Sequence, residues 1–205
     1  MDKPKSEGVR PVKTCIKTLR AILFDFDGTL VELPVNYSRM RKKLRVLFNK
    51  YNVSSEFKPL IPSVERCLSV LKRKGIPNGG IEKVRKAAYD IMDGEELFAI
   101  KSSRLMLGSK EVLNFAKKRG IKIVVFTRNC SRCVNAVFKK YNFPKPDLIA
   151  SRDKVKMLKP DKEHINYVLK KLRLSNEDCI IIGDSFHDVE AGKKHNIKTI
   201  IIKTT

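Results

Sequence analysis

The stretch that most constrains the fold is Ala21-Ile22-Leu23-Phe24-Asp25-Phe26-Asp27-Gly28-Thr29-Leu30. A short apolar run bounded by turn residues reads as a buried strand. This one runs straight into two acids and a glycine. Asp25 and Asp27 stand two apart, where Gly28 lets the chain leave the extended path. Two carboxylates at the end of an apolar strand repel each other. A hard divalent cation such as Mg²⁺, which takes oxygen ligands, would relieve that repulsion. A strand followed by a plain acidic turn is the other reading of these residues alone.

Three later segments add to this pattern, two of them apolar runs that end in polar groups. Val124-Val125-Phe126-Thr127 ends in a hydroxyl, and Lys159-Pro160-Asp161 sets a lysine just before a helix start. Ile180-Ile181-Ile182-Gly183-Asp184-Ser185-Phe186-His187-Asp188 ends in a glycine and two acids. Taken together and in this order, the four segments resemble the haloacid dehalogenase superfamily of phosphohydrolases. The resemblance covers most of the chain from about Leu19 onward. Each motif is short, but the set of four at strand ends is specific.

The pattern between and around these motifs agrees. From Gly108 onward strands and helices alternate, the sign of a parallel sheet flanked by helices. In such sheets the active crevice lies outside the carboxyl ends of the strands, where Asp25, Thr127 and Asp184 fall. Between Leu30 and about Leu105 the periodicity is helical. Met40, Leu44, Leu47, Phe48 and Tyr51 mark one amphipathic helix, with Ser38 as its expected cap. Val64, Leu68 and Leu71 mark a second, entered through Pro62 and closed by Gly75. Val84, Ala88 and Ile91 mark a third after Gly79-Gly80, with Gly94 expected to bend or end it and a short last helix from Glu95 to about Lys101. The expected fold is α/β. A Rossmann-like core is built from residues 19–30 and 106–205, and a small α-helical insertion spans 31–105. Residues 1–18 read as a basic N-terminal tail.

By resemblance, the insertion is a cap over the active site. The implied activity is that of a Mg²⁺-dependent phosphatase hydrolysing a small phosphate monoester through an aspartyl-phosphate, with phosphoglycolate phosphatase-like enzymes the nearest comparison. Asp25 would be the nucleophile, and Asp27 the acid that protonates the leaving oxygen and then the base that activates water. Mg²⁺ would be held by Asp25, the backbone carbonyl of Asp27 and Asp184, with Asp188 acting through water or by orienting the other ligands. Thr127, the Arg128 amide and Lys159 would bind the phosphate. Relatives often carry asparagine where Arg128 stands; its guanidinium either clamps phosphate or faces solvent. His187, between the two metal-site acids, reads first as an exposed residue at a helix start, with contact to the substrate as the other reading.

The chain of 205 residues carries a formal net charge of +22. Such a field draws anions, both phosphorylated metabolites and nucleic acid. The lysines are spread along the sequence, which favours a solvated basic surface over a dedicated nucleic-acid site. Nucleotide or polynucleotide-end phosphatase is therefore one alternative and phosphomutase another; a non-catalytic basic binding protein is the remotest. No apolar run approaches membrane-spanning length. The start lacks a signal-peptide core, so the expected location is cytoplasmic. Monomer and homodimer both remain open. Five cysteines, an odd number, argue against a disulfide framework. Cys130 and Cys133 form a C-x-x-C that reads either as a redox pair or as residues packed on a helix.

Overall fold

The computed structural model describes residues 19–202. The expected tail at 1–18 lies outside the described residues. Five strands form a parallel sheet: β1 Ala21–Phe24, β4 Lys122–Phe126, β5 Leu148–Ala150, β6 Cys179–Gly183 and β7 Lys198–Ile201, in the order β5-β4-β1-β6-β7. β1 is central, with Phe24 in register with Val125 on one side and Ile182 on the other. All four of its residues are buried, as a strand covered on both faces requires.

The faces alternate residue by residue. Ile22, Phe24, Ile123 and Val125 point to one side, where they join the helices α4 (Ser109–Lys118) and α5 (Ser131–Lys140). Ala21, Leu23, Val124 and Ile181 point to the other, against α6 (Lys162–Leu172) and α7 (Phe186–His195). Asp161 caps α6, accepting from the Glu163 amide at 2.8 Å.

Three helices lie between the first and second strands of the core: α1 Tyr37–Asn49, α2 Leu60–Arg73 and α3 Asn78–Ala99. The apolar cluster on the α4/α5 side continues into them through Leu44, Phe48, Leu68 and Ala88. A two-residue antiparallel ribbon, β2 (Val31–Glu32) with β3 (Arg104–Leu105), brings the two ends of this insertion together.

Several boundaries differ from those read in the sequence. Asn36, not Ser38, caps α1, its side chain accepting from the Arg39 amide. Pro62 lies inside the first turn of α2, where a missing N–H costs nothing because those amides have no helical partner. Gly79 and Gly80 lie within the first turn of α3, and Gly94 does not end it; the expected short last helix is the C-terminal part of α3. Burial of Met92, Glu95, Glu96 and Ala99 along that stretch outweighs the low propensity of one glycine. Gly75 does close α2, at a φ of +82° that favours glycine.

Candidate active site

The site is assembled from the ends of β1, β4 and β6 and the loop before α6. Asp25 follows β1 directly, and its amide still donates to Ile182 O at 2.8 Å, so its position is fixed by the sheet ladder. At Gly28 the chain turns with a φ of +87°, and a Cβ there would run into the Asp184 carboxylate. Glycine is thus required twice: by the backbone and by the close approach of the β6 end. The turn brings Asp27 back toward the chain, where its Oδ1 accepts from the Leu33 amide at 2.8 Å.

Lys159 is the centre of the charge arrangement. Its Nζ lies 2.5 Å from Asp25 Oδ1 and 2.7 Å from Asp188 Oδ1, and its side chain is buried. Asp188 is also held from its other oxygen, which accepts from the Ser185 amide at 3.1 Å and the Ser185 hydroxyl at 2.5 Å, forming the capping box of α7. Burial pushes Asp25 up to about 6, against the pull of Lys159 and with the push of Asp188. Burial likewise raises Asp27 to about 7 against the Leu33 amide bond, with Asp25 and Asp184 adding repulsion.

Oxygens of Asp25, Asp184 and Asp188 all lie within 4.8 Å of one another. Three hard carboxylate donors with a single lysine between two of them leave excess negative charge, and this donor set suits Mg²⁺. Asp93, Glu96 and Cys130 form a second cluster of that kind. There, however, the Arg152 guanidinium already bonds both acids.

The sequence-marked phosphate residues are together but not equivalent. Thr127 is fully buried; its hydroxyl donates to Asn129 Oδ1 at 3.0 Å and accepts from the Asn129 amide at 3.1 Å. Its own amide is taken by Ala150 O at 3.0 Å. Arg128, Asn129, Lys159 and Asp184 line a cavity of about 420 Å³ that also reaches Asp25 and Asp27. Tyr37, Met92 and Glu96 from the inserted helices also line it. The Arg128 side chain makes no ion pair among the described residues. His187 is half-buried, not exposed as expected, and lines the same cavity, its Nδ1 covered and without a hydrogen-bond partner. Its imidazole is held below the usual range by burial and the Arg128 and Lys159 cations.

Two residues to which the sequence reading gives no role in the site matter here. Arg152, two residues past β5, is buried and bonds Glu96 at 2.6 Å, Asp93 at 2.6 Å and the Arg128 carbonyl at 2.8 Å. It ties α3 to the floor of the cavity. His164 is fully buried, stacked on Phe126 at 4.2 Å. Its Nδ1 accepts from the Lys159 amide at 2.9 Å, so the proton sits on Nε2 and is donated to Ala150 O at 2.9 Å. Burial, with Lys159 nearby, pushes His164 down to about 3.

That burial predicts a pH effect on stability. Below about pH 6.5 the unfolded chain holds a proton on His164 that the folded chain excludes until about pH 3. The unfolded state binds more protons in this window, so stability falls as pH falls through it. Between pH 7 and pH 5 the contribution is about 2 kcal/mol. Urea titrations at the two pH values should show a loss smaller by about that amount in His164→Asn. Equal losses in the two proteins would contradict the neutral buried imidazole.

Cys130 and Cys133 are buried free thiols, with Cys130 Sγ accepting from the Cys133 amide at 3.4 Å as the cap of α5. Burial and the adjacent Glu96 push Cys130 up to about 12 and Cys133 higher still. Buried and held far from ionisation, the two thiols fit the packing reading. Several of the basic residues of the insertion are taken up by acids: Arg39 and Lys43 both pair with Glu95, and Lys86 with Asp90. Among the described residues no helix is long and apolar enough to cross a membrane.

Comparison with known proteins places these features. The family model for haloacid dehalogenase-like hydrolases matches residues 22–202. A phosphorylated carbohydrates phosphatase of Thermotoga maritima is 27% identical, covering 89% of this chain and 84% of its own length. An uncharacterized hydrolase of Saccharomyces cerevisiae is 24% identical, with 92% and 79% covered. Among solved structures, that of CbbY from Rhodobacter sphaeroides in complex with phosphate superposes with a TM-score of 0.63 at 23% identity, covering 92% of this chain and 88% of that one.

Proposed function

Since the chain belongs to the haloacid dehalogenase-like hydrolase family and is a hydrolase of phosphate esters, we propose that it is a cytoplasmic Mg²⁺-dependent phosphatase of a small phosphorylated metabolite, working through an aspartyl-phosphate. The observation that carries this reading is the bridging of Asp25 and Asp188 by Lys159 beside Asp184 at the ends of parallel strands. The 27% identical Thermotoga phosphatase of phosphorylated carbohydrates supports a phosphate monoester of an organic alcohol as substrate.

Asp25 attacks phosphorus with one carboxylate oxygen. The ester bond breaks, and the phosphoryl group passes to Asp25. Asp27, aimed by the Leu33 amide, gives its proton to the leaving alcohol. It then takes a proton from the water that attacks the aspartyl-phosphate, releasing phosphate and restoring Asp25. Lys159 neutralises phosphate charge and keeps Asp25 oriented. The Arg128 amide and guanidinium add donors, with the Thr127 hydroxyl turning from Asn129 to the phosphate. Asp25, the Asp27 carbonyl, Asp184 and, indirectly, Asp188 would hold Mg²⁺. When bound, the ion supplies positive charge against the phosphate and so lets one anion approach another.

The insertion at 31–105 serves as a cap on a core formed by 19–30 and 106–205. Support comes from Tyr37, Met92 and Glu96, which line the same cavity as the carboxylates. The test is phosphate release from phosphoglycolate, sugar phosphates and nucleotides, with Mg²⁺ and with chelator. Release that falls at least about 100-fold with chelator is expected. Release unaffected by chelator would overturn the metal-dependent mechanism.

A further inference from the structure

The catalytic cavity does not end at the carboxylates. A second cavity of about 810 Å³ adjoins it. Pro59, Ile61, Arg128, Arg152, Lys159 and His187 line both, so the two adjoin along a shared wall. Most of the exposed wall area of the second cavity is apolar, although Arg66, Glu82, Arg85 and Lys156 also line it. Pro62 comes from the start of α2, Tyr89 from α3, and Val155, Met157 and Leu158 from the loop before Lys159. The polar groups there are mostly satisfied by one another: Glu65 is bonded by Arg85 and accepts from the Tyr89 hydroxyl at 3.1 Å. Met157 is 47% exposed, apolar surface that a ligand in this space would cover.

Resting on the phosphatase reading, we propose that this groove holds the leaving alcohol, and that the substrates are phosphate monoesters with a bulky, mainly apolar leaving group. The phosphate is fixed at Asp25 and Lys159, and Lys159 lies on the boundary between the two spaces. An ester oxygen pointing along Arg128 and His187 therefore directs its carbon chain between α2, α3 and the 155–158 loop. A two-carbon alcohol is accommodated within the catalytic cavity of about 420 Å³ and leaves the apolar walls of the groove in water. A larger apolar body removes that surface from water, and binding strengthens with the area covered. Arg152 ties the two sides of the groove, since it joins Asp93 on α3 and lies over the Tyr89 ring at 5.6 Å.

The experiment uses three primary alkyl esters with similar leaving oxygens: ethyl, hexyl and naphthylethyl phosphate, with Mg²⁺. kcat/KM is expected to rise along the series, by at least about tenfold from ethyl to naphthylethyl. Met157→Asp, which charges the wall, and Ser69→Trp, which fills the groove from α2, should each bring the ratio to within about twofold. Met157→Leu should keep it. Thermal melting establishes that each variant is folded. Equal kcat/KM for the three esters in the wild type would overturn the groove while leaving the phosphatase reading intact. A preference retained in both folded blocking variants would overturn it as well. No release from any ester would instead contradict the phosphatase reading, and the groove with it.

Discussion

Asp25→Asn is expected to reduce phosphate release on the order of 10⁴-fold or more while the fold stays intact. The amide has nearly the shape of the carboxylate but lacks the electron pair that attacks phosphorus. The rest of the site loses little support. The amide oxygen still faces Lys159, and Lys159 retains Asp188 at 2.7 Å. Burial opposes the Asp25 charge, so removing that charge costs the fold little. A discontinuous phosphate assay with thermal melting separates the two effects. Activity above about 1% of wild type would remove Asp25 from the nucleophile's role.

The second large effect falls on stability. Arg152→Ala should cost about 3–5 kcal/mol, because it strips the countercharge from the buried Glu96 and the nearer of two from Asp93, which keeps Arg132 at 3.7 Å. Asp93 and Glu96 have side chains 17% and 5% exposed and share this guanidinium. Glu96 keeps one bond, from the Cys130 amide at 2.9 Å, which does not neutralise it. For a chain of this length the melting temperature should drop by roughly 10 °C. Arg152→Met, which restores volume but not charge, should be nearly as damaging, and adding Glu96→Gln to it should recover part of the loss. A cost under about 1 kcal/mol for Arg152→Ala would show that α3 is held to the core by apolar packing alone.

The central strands and their polar ends were legible because parallel strands buried on both faces are continuous apolar runs. Ala21 to Phe24 and Cys179 to Gly183 carry that signal without interruption. The placement of Asp25, Thr127 and Asp184 at one edge of the sheet follows from it. What local pattern does not carry is pairing across long separations. Arg152 meets Glu96 and Asp93 from 56 and 59 residues away, and nothing around Arg152 marks it except its position just past a strand end. The β2–β3 ribbon has two residues per strand, too few to show alternation. Gly94 reads as a helix breaker, yet the buried residues around it in α3 override that preference. His187 was visible as a residue between two acids, but its turn toward the cavity depends on where α7 begins, at Phe186.

The covalent step can be seen directly. Wild-type protein mixed with a phosphorus-labelled ester and Mg²⁺, then quenched in acid within the first turnover, should carry one phosphoryl group per chain. Peptide mapping by mass should place it on the fragment containing Asp25. Rapid turnover with no labelled protein at any quench time, or label on a fragment lacking Asp25, would contradict the mechanism.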